Sequence, residues 1–235
     1  MPKPHRIASA KQLSDAVAAL MVADKRLKPM LKRTGQPVFV PRRRHGFEAL
    51  MSIITSQQLS TAAGDTIFGR VKAAVVPFDP PTMLATSAEV LRACGLSAPK
   101  QKHMKTIAGA IMDGTLDLKR VRSMPDDIAR EHLTAIKGIG PWTADIYLMS
   151  SLGRADVWPV GDVALQASIA RVLKMRKRPN EKSMAKLSQL WRPWRTIVAR
   201  LFWMHEDGLR KEKREALKAL TAAKKLTMLK KKKKK

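Results

Sequence analysis

Apolar residues recur along this chain at helical spacing and nowhere at the alternating spacing of a strand. Leu13, Val17, Leu20 and Met21 share one face of a helix that Ser9 opens, with Gln12 completing a capping box. Phe47, Leu50, Met51 and Ile54 form a second stripe, and Met83 to Ala93 a third. Residues 98–112 carry a fourth through Met104, Ile107, Ala108 and Ile111. Pro125, Asp126 and Asp127 open a fifth, with proline and acidic residues in its first turn. Residues 141–152, 162–174, 181–191 and 194–206 supply the remainder. Only Pro37–Pro41 reads as extended, and it is short and bounded by prolines. No internal repeat interrupts the pattern, which predicts an all-α chain.

Between two of these helical segments runs Leu133-Thr-Ala-Ile-Lys-Gly-Ile-Gly-Pro-Trp-Thr-Ala-Asp145. Gly138 and Gly140 allow backbone conformations that a side chain would forbid, and Pro141 suits the first position of the following helix. Bare N–H groups beside a helix N-terminus form an anion site. The run therefore reads as a helix-hairpin-helix, about residues 133–145, that grips a phosphate through its backbone. A bare Gly-x-Gly on its own would mark only a corner between helices.

Length and charge narrow the partners. With 235 residues, 45% of them hydrophobic and five of them tryptophan, the chain can fold around one core or as two lobes sharing a cleft. Its formal net charge is +27. Residues 210–235 account for +11 of it, with 13 Lys/Arg against Glu212 and Glu215, and read as a basic, disordered lysine-rich tail ending in Lys230–Lys235. Residues 1–209 form the folded domain and still carry +16, which points to a polyanionic partner, most simply nucleic acid. No basic amphipathic helix with a broad aromatic face, signal peptide or apolar span is present, so a soluble intracellular protein without a membrane partner is expected. One cysteine, Cys94, excludes a disulfide framework and a four-cysteine zinc or iron–sulfur site. The five histidines show no metal-ligand spacing.

Twenty residues after Trp142, Asp162 begins Asp-Val-Ala-Leu-Gln-Ala-Ser-Ile-Ala-Arg-Val-Leu. Taken alone, an aspartate there is an N-cap. It also follows Asp156-Val-Trp-Pro-Val-Gly161, a stiff connector from the hairpin's second helix. A carboxylate held at a fixed offset from a phosphate grip can stabilise an oxocarbenium-like sugar and orient or deprotonate water, so capping and N-glycosidic cleavage are compatible.

Hairpin, Trp142 and Asp162 together resemble the helix-hairpin-helix DNA glycosylase superfamily, in particular its DNA-3-methyladenine glycosylase II branch, in a compact form without the N-terminal β-rich domain. Three further blocks carry the resemblance, which spans roughly residues 10–207: Phe47 to Ser60, with Gln57-Gln58-Leu59-Ser60; Leu91 to Ser97 followed by Lys100; and Trp191-Arg-Pro-Trp-Arg195 with Trp203. It implies two helical lobes with a cleft between them, and Asp162 as the catalytic carboxylate. It also implies a base pocket at Trp142 and Trp203, and DNA contacts at Gln57, Gln58, Ser60, Lys137, Gly138, Gly140 and Thr143. Gln58 would fill the gap left by an extruded base. The carbonyls of Thr134, Ile136 and Ile139 would hold a monovalent cation, Na+ or K+. No other cofactor and no iron–sulfur cluster is implied. Relatives that also cut the backbone place a lysine where Trp142 stands, so the resemblance implies a monofunctional enzyme using water. Some relatives carry another acid at the position of Gly161, which leaves Asp162 as the single catalytic candidate.

The expected activity is excision of alkylated bases of the 3-methyladenine type from damaged double-stranded DNA, with no obligate protein partner. The same fold acting on deaminated or oxidised bases, a noncatalytic DNA-binding protein, and an RNA-binding module are the alternatives. Asp162 opposes a purely architectural role, since binding phosphates gains nothing from a carboxylate beside them.

Overall fold

A computed structural model describes residues 5–37 and 46–232, and of the side chains beyond Leu217 only that of Lys218 and Thr221. Thirteen α-helices run through those residues: α1 (Ala10–Ala23), α2 (Lys28–Thr34), α3 (Gly46–Ser56), α4 (Thr61–Ala74), α5 (Pro80–Ala85), α6 (Ala88–Ala93), α7 (Ala98–Met112), α8 (Leu118–Val121), α9 (Asp126–Thr134), α10 (Pro141–Ile146), α11 (Val163–Val172), α12 (Glu181–Leu187) and α13 (Arg195–Lys232). The sole β feature among them is an isolated antiparallel bridge between Arg6 and Arg154. The expected extended segment at Pro37–Pro41 lies, except for Pro37, outside the described residues.

The helices form two lobes. Helix α3 is central to one: it packs on α4, α7, α8 and α10, while α5 and α6 lie on α7, and α9 joins α8 to α10. Phe68 and Phe78 meet edge to face there, with ring centroids 5.6 Å apart. The other lobe joins the first helices to the last. There α13 packs on α2 and α11, and the 3₁₀ turn at Ser188–Trp191 packs on α1, α12 and α13. Trp191 is fully buried in this lobe, 5.2 Å from Trp158 and 5.9 Å from Phe202 by ring centroid.

Local sequence explains most helix ends. Ser9 Oγ accepts the Gln12 N–H at 3.1 Å, whereas Gln12 Oε1 accepts from Ala8 at 2.8 Å, one residue earlier than a capping box requires. The stripe from Met83 to Ala93 is two helices, because Ser87 leaves the helical path and caps α6 through the Val90 N–H. Helix α4 was not expected: Gly64, Asp65 and Gly69 dilute its apolar face. Ser60 caps it, and Gly64 lets it lie against α3, since a Cβ there would stand 2.6 Å from Ser56 Oγ. The segment 141–152 widens into a π-helical turn over Tyr147–Ser151.

The disordered tail expected from residue 210 is corrected: α13 continues to Lys232. Its first turns are nucleated in the body, and each further Ala, Leu, Lys or Glu adds a hydrogen bond at little entropic cost, so continuation does not require packing. Residues 211–218 are accordingly exposed. An ion pair between Arg33 and Glu212 holds the early part of the extension against α2.

Asp24 joins the two ends of the second lobe. Only 4% exposed, it accepts from Arg26 Nε and Nη2 at 2.8 Å and from Trp191 Nε1 at 3.0 Å. Burial alone would raise its pKa, but these hydrogen bonds outweigh it and the net shift is downward. Asp24→Asn should destabilise the fold by about 2 kcal/mol, because the amide loses the charge opposite Arg26 and can accept through only one of its two ends. The folded state holds the Asp24 proton less tightly than the unfolded chain. Its contribution is therefore complete above the ordinary carboxylate pKa of about 4 and lost as pH falls through the lower folded value. Thermal melts of both proteins from neutral to acid pH should converge at the acid end.

Candidate active site

The hairpin is built from a helix end and two buried isoleucines. Helix α9 stops at Thr134, and Ile136 and Ile139 are 6% and 2% exposed, which plugs the turn into the core. Gly138 sits at φ +102°, and a Cβ on it would lie 3.0 Å from the Cβ of His103 on α7. Glycine is required there twice over. At Gly140 the expectation from sequence is corrected: φ is −79°, and a Cβ would meet nothing within 4 Å. The fold has no need of glycine at 140. No side chain caps α10.

Asp162 is where the sequence reading and the geometry meet. Oδ1 accepts the Leu165 N–H at 2.6 Å, which makes Asp162 the N-cap of α11. Oδ2 accepts from Trp142 Nε1 at 2.8 Å, and Oδ1 takes a longer bond of 3.4 Å from Trp203 Nε1. Two tryptophans 61 positions apart, on α10 and α13, thus direct their indole N–H groups at one carboxylate that is 8% exposed. The connector is pinned along its length. Arg195 donates to Asp156 Oδ1 at 2.7 Å, Trp158 Nε1 donates to the Met184 carbonyl at 3.2 Å, and Gln166 Nε2 donates to the Val160 carbonyl at 2.8 Å.

Two cavities open on either side of this carboxylate. A cleft of about 820 Å³ between the lobes is lined by Gln57 and Gln58, His103, Thr134, the hairpin from Ile136 to Thr143, and Gly161 to Ala164. A smaller pocket of about 300 Å³ is walled by Trp142, Ile146, Ser150, Asp162, Ala164, Trp203, Glu206, Asp207 and Arg210. Trp142 and Asp162 belong to both. Of the residues expected from sequence, Gln57, Gln58, Thr134, Ile136, Lys137, Gly138, Ile139, Gly140, Trp142, Thr143 and Asp162 meet in the cleft, and Trp203 joins the carboxylate from the smaller pocket. Ser60 lines neither, being engaged as the cap of α4.

The two glutamines are treated differently. Gln57 Nε2 donates to Thr143 Oγ1 at 2.8 Å, which ties α3 to α10 and occupies the hydroxyl of Thr143, itself 2% exposed. Gln58 is exposed and sits at φ +58°, a left-handed conformation that a non-glycine side chain adopts at a cost of about 1 kcal/mol. Lys100 fixes this corner by donating to the Thr55 and Gln57 carbonyls at 2.7 and 2.9 Å, and burial lowers its pKa.

Sequence reasoning missed several neighbours. Behind the hairpin, Asp145 is 2% exposed, and burial pushes its pKa up to about 6 against the opposing charge of Arg130, whose Nε lies 2.9 Å from it. Glu181 leans over Gly161, where a Cβ would stand 3.1 Å from its Oε1. Glu206, Asp207 and Arg210 line the smaller pocket because they follow Trp203 at helical intervals of three, four and seven, a signal that for Asp207 and Arg210 is legible only once α13 is known to continue. Among the described residues no cluster of three His, Cys, Asp or Glu side chains is arranged to hold a metal ion, and no helix is long and apolar enough to cross a membrane.

Comparison with known proteins points one way. Residues 51–193 match the model of the HhH-GPD superfamily base excision DNA repair proteins. The chain is 32% identical to DNA-3-methyladenine glycosylase 1 of Schizosaccharomyces pombe over 197 residues, covering 81% of this chain and 86% of that protein. It is 28% identical to the alkylbase DNA glycosidase-like protein mag2 of the same organism, covering 79% and 92%. Among solved structures, the S. pombe 3-methyladenine DNA glycosylase Mag1 in complex with abasic DNA superposes with a TM-score of 0.73 at 29% identity, over 80% of this chain and 95% of that one. A DNA-3-methyladenine glycosidase from Bacillus halodurans gives 0.68 at 30% identity, over 88% and 93%.

The hairpin glycines should separate in a stability measurement. Gly138→Ala meets both a forbidden φ and the His103 backbone region, and should lower stability by about 1–3 kcal/mol. Gly140→Ala should leave the melting temperature unchanged or slightly raised.

Proposed function

Because the chain belongs to the HhH-GPD superfamily of base excision DNA repair proteins, we propose that it is a monofunctional DNA glycosylase that removes alkylated bases of the 3-methyladenine type from duplex DNA. The observation that carries this reading is the placement of Asp162: one carboxylate, oriented by two indoles and a helix N-terminus, at the junction of a hairpin-lined cleft and a pocket of about 300 Å³. That volume lies at the lower end of the range of about 300–1,000 Å³ typical of small-molecule sites.

Duplex DNA is drawn in by the basic surface in a salt-dependent manner. The bare amides at Gly138 and Gly140, with Lys137 at the cleft wall, take a phosphate beside the lesion. Thr134, Ile136 and Ile139 line that wall, and their carbonyls are hard oxygen donors that would hold a Na+ or K+ ion, whose charge would favour a phosphate nearby; the Ile136 carbonyl also accepts the Ile139 N–H at 3.0 Å. The damaged nucleotide is extruded, Gln58 fills the space it leaves, and the base enters the pocket beside Trp142 and Trp203. A cationic base gains about 0.5–2 kcal/mol over aromatic faces. Water attacks C1′ as the C1′–N bond breaks, and the bonding electrons leave with the base. A cationic base departs neutral and needs no acid at the leaving group. Asp162 stabilises the developing sugar cation and receives or orients the proton of the attacking water.

A tryptophan at 142, where a Schiff base would need an amine, and the lack of any lysine among the residues walling the smaller pocket support release without strand cleavage.

Purified protein incubated with methylated duplex DNA should release methylated purines and leave abasic sites that break only on treatment with alkali. Asp162→Asn should lower release by at least about 100-fold while retaining duplex binding. It should also cost some stability, since an amide nitrogen cannot accept from Trp142. Release unchanged in the variant would overturn the assignment of Asp162, and strand breakage without alkali would overturn the monofunctional reading. Gln58→Gly relieves the left-handed strain and should be as stable as the parent or up to about 1 kcal/mol more so, yet slower in single-turnover release.

A further inference from the structure

The smaller pocket has an electrostatic character opposite to that of the chain. Four charged side chains line it, Asp162, Glu206, Asp207 and Arg210, so its walls carry a net −2 in a chain of net +27. Asp207 and Arg210 are exposed and 3.9 Å apart, where water screens them. Glu206 is different. It is 8% exposed, and Arg171 of α11 holds its Oε1 in an ion pair. Among the described residues no donor reaches its other oxygen. That oxygen is not buried away from water, and it belongs to a side chain that walls the pocket together with Trp142 and Trp203.

We propose that Glu206 determines specificity: its carboxylate, oriented by Arg171, selects nucleobases that carry a positive charge and present an N–H donor over neutral bases of the same shape. The proposal rests on the glycosylase reading above. Arg171 is half exposed and outside the pocket walls, so solvent screens its charge while its hydrogen bond keeps the carboxylate in one orientation. The free oxygen is then a preorganised acceptor inside a partly desolvated pocket, where an opposite charge is worth more than in water. An alkylated adenine offers both the delocalised positive charge and an exocyclic amine. A neutral base offers no charge, and one that turns a carbonyl toward Glu206 leaves two acceptors facing each other, which rejects it actively. Selection at this point adds to the aromatic contribution of the tryptophans, which favours flat bases of many kinds.

Two uncleavable duplexes isolate the effect. One carries 3-methyladenine on a 2′-fluorinated sugar, which slows glycosidic cleavage; the other carries 3-deaza-3-methyladenine, its neutral isostere. The parent protein should bind the cationic duplex at least tenfold more tightly than the neutral one. Glu206→Gln should bring that ratio to within twofold of one, and Glu206→Asp, which keeps the charge, should retain most of it. A parent ratio near one, or a ratio that survives Glu206→Gln, would overturn the proposal. Melting curves establish that each variant is folded, and the Asp variant supplies the answer if the Gln variant is not. Release of methylated purines by the parent, measured alongside, keeps the two readings distinct: no release defeats the glycosylase assignment, whereas release with an unchanged ratio defeats only the role of Glu206.

Discussion

The arrangement of this molecule turns on one carboxylate shared by both lobes. Asp162 caps α11 in the lobe that contains α1, α2 and α13, and it draws one indole from α10 across the cleft and another from α13 on its own side. Burying a carboxylate is unfavourable unless hydrogen bonds replace its water, and here three N–H groups do so. The same bonds fix where the cleft ends and the smaller pocket begins, because Trp142 and Asp162 form walls of each. Removing the carboxylate would therefore unhinge the partition.

Charge operates on two length scales. Over the whole chain a net +27 produces a field that attracts a polyanion from a distance and weakens with salt. Within a few ångströms of the smaller pocket the sign reverses, since Asp162, Glu206 and Asp207 outnumber Arg210. The two do not conflict, because screening in water confines the local charges to their own surroundings. On the proposed reading a phosphate backbone responds to the first field and an extruded base to the second. Both lie on one helix: the Trp203–Arg210 stretch of α13 walls the pocket, and beyond Glu215 every charged residue of the chain is a lysine.

Much of the site was legible because it depends on local rules. A carboxylate before an apolar helix is a cap, proline at a first helical position opens a helix, and a glycine at a positive φ marks a turn, so Asp162, Pro141 and Gly138 could be placed without coordinates. What was hidden depends on tertiary contact. Gly64 reads as a helix breaker until α3 is seen to lie against it. Ser87 reads as one more helical position until its cap divides α5 from α6. Residues 210–232 read as a repelling run of lysines until the preceding turns are known to have nucleated their helix. Glu206 could be placed one turn after Trp203 in the expected helix 194–206, but its pairing with Arg171 across to α11 and its place in a pocket wall depend on tertiary contact.

On the proposed reading Asp162 must cap a helix, hold two indoles and still act on the sugar, and a count of lone pairs shows that it can. An ionised carboxylate has about four acceptor positions, two on each oxygen. Oδ1 spends both, on the Leu165 amide and on Trp203. Oδ2 spends one, on Trp142. The remaining position is on Oδ2, the oxygen bonded to the residue that borders both the hairpin cleft and the smaller pocket. A nucleotide whose phosphate lies on the hairpin and whose base lies in the pocket must carry its sugar past that border. The unused lone pair is therefore available to the part of the substrate where positive charge develops. The 3.4 Å bond from Trp203 is the weakest of the three and the easiest to exchange for water, so the oxygen that caps the helix can stay fixed while its partner does the chemistry.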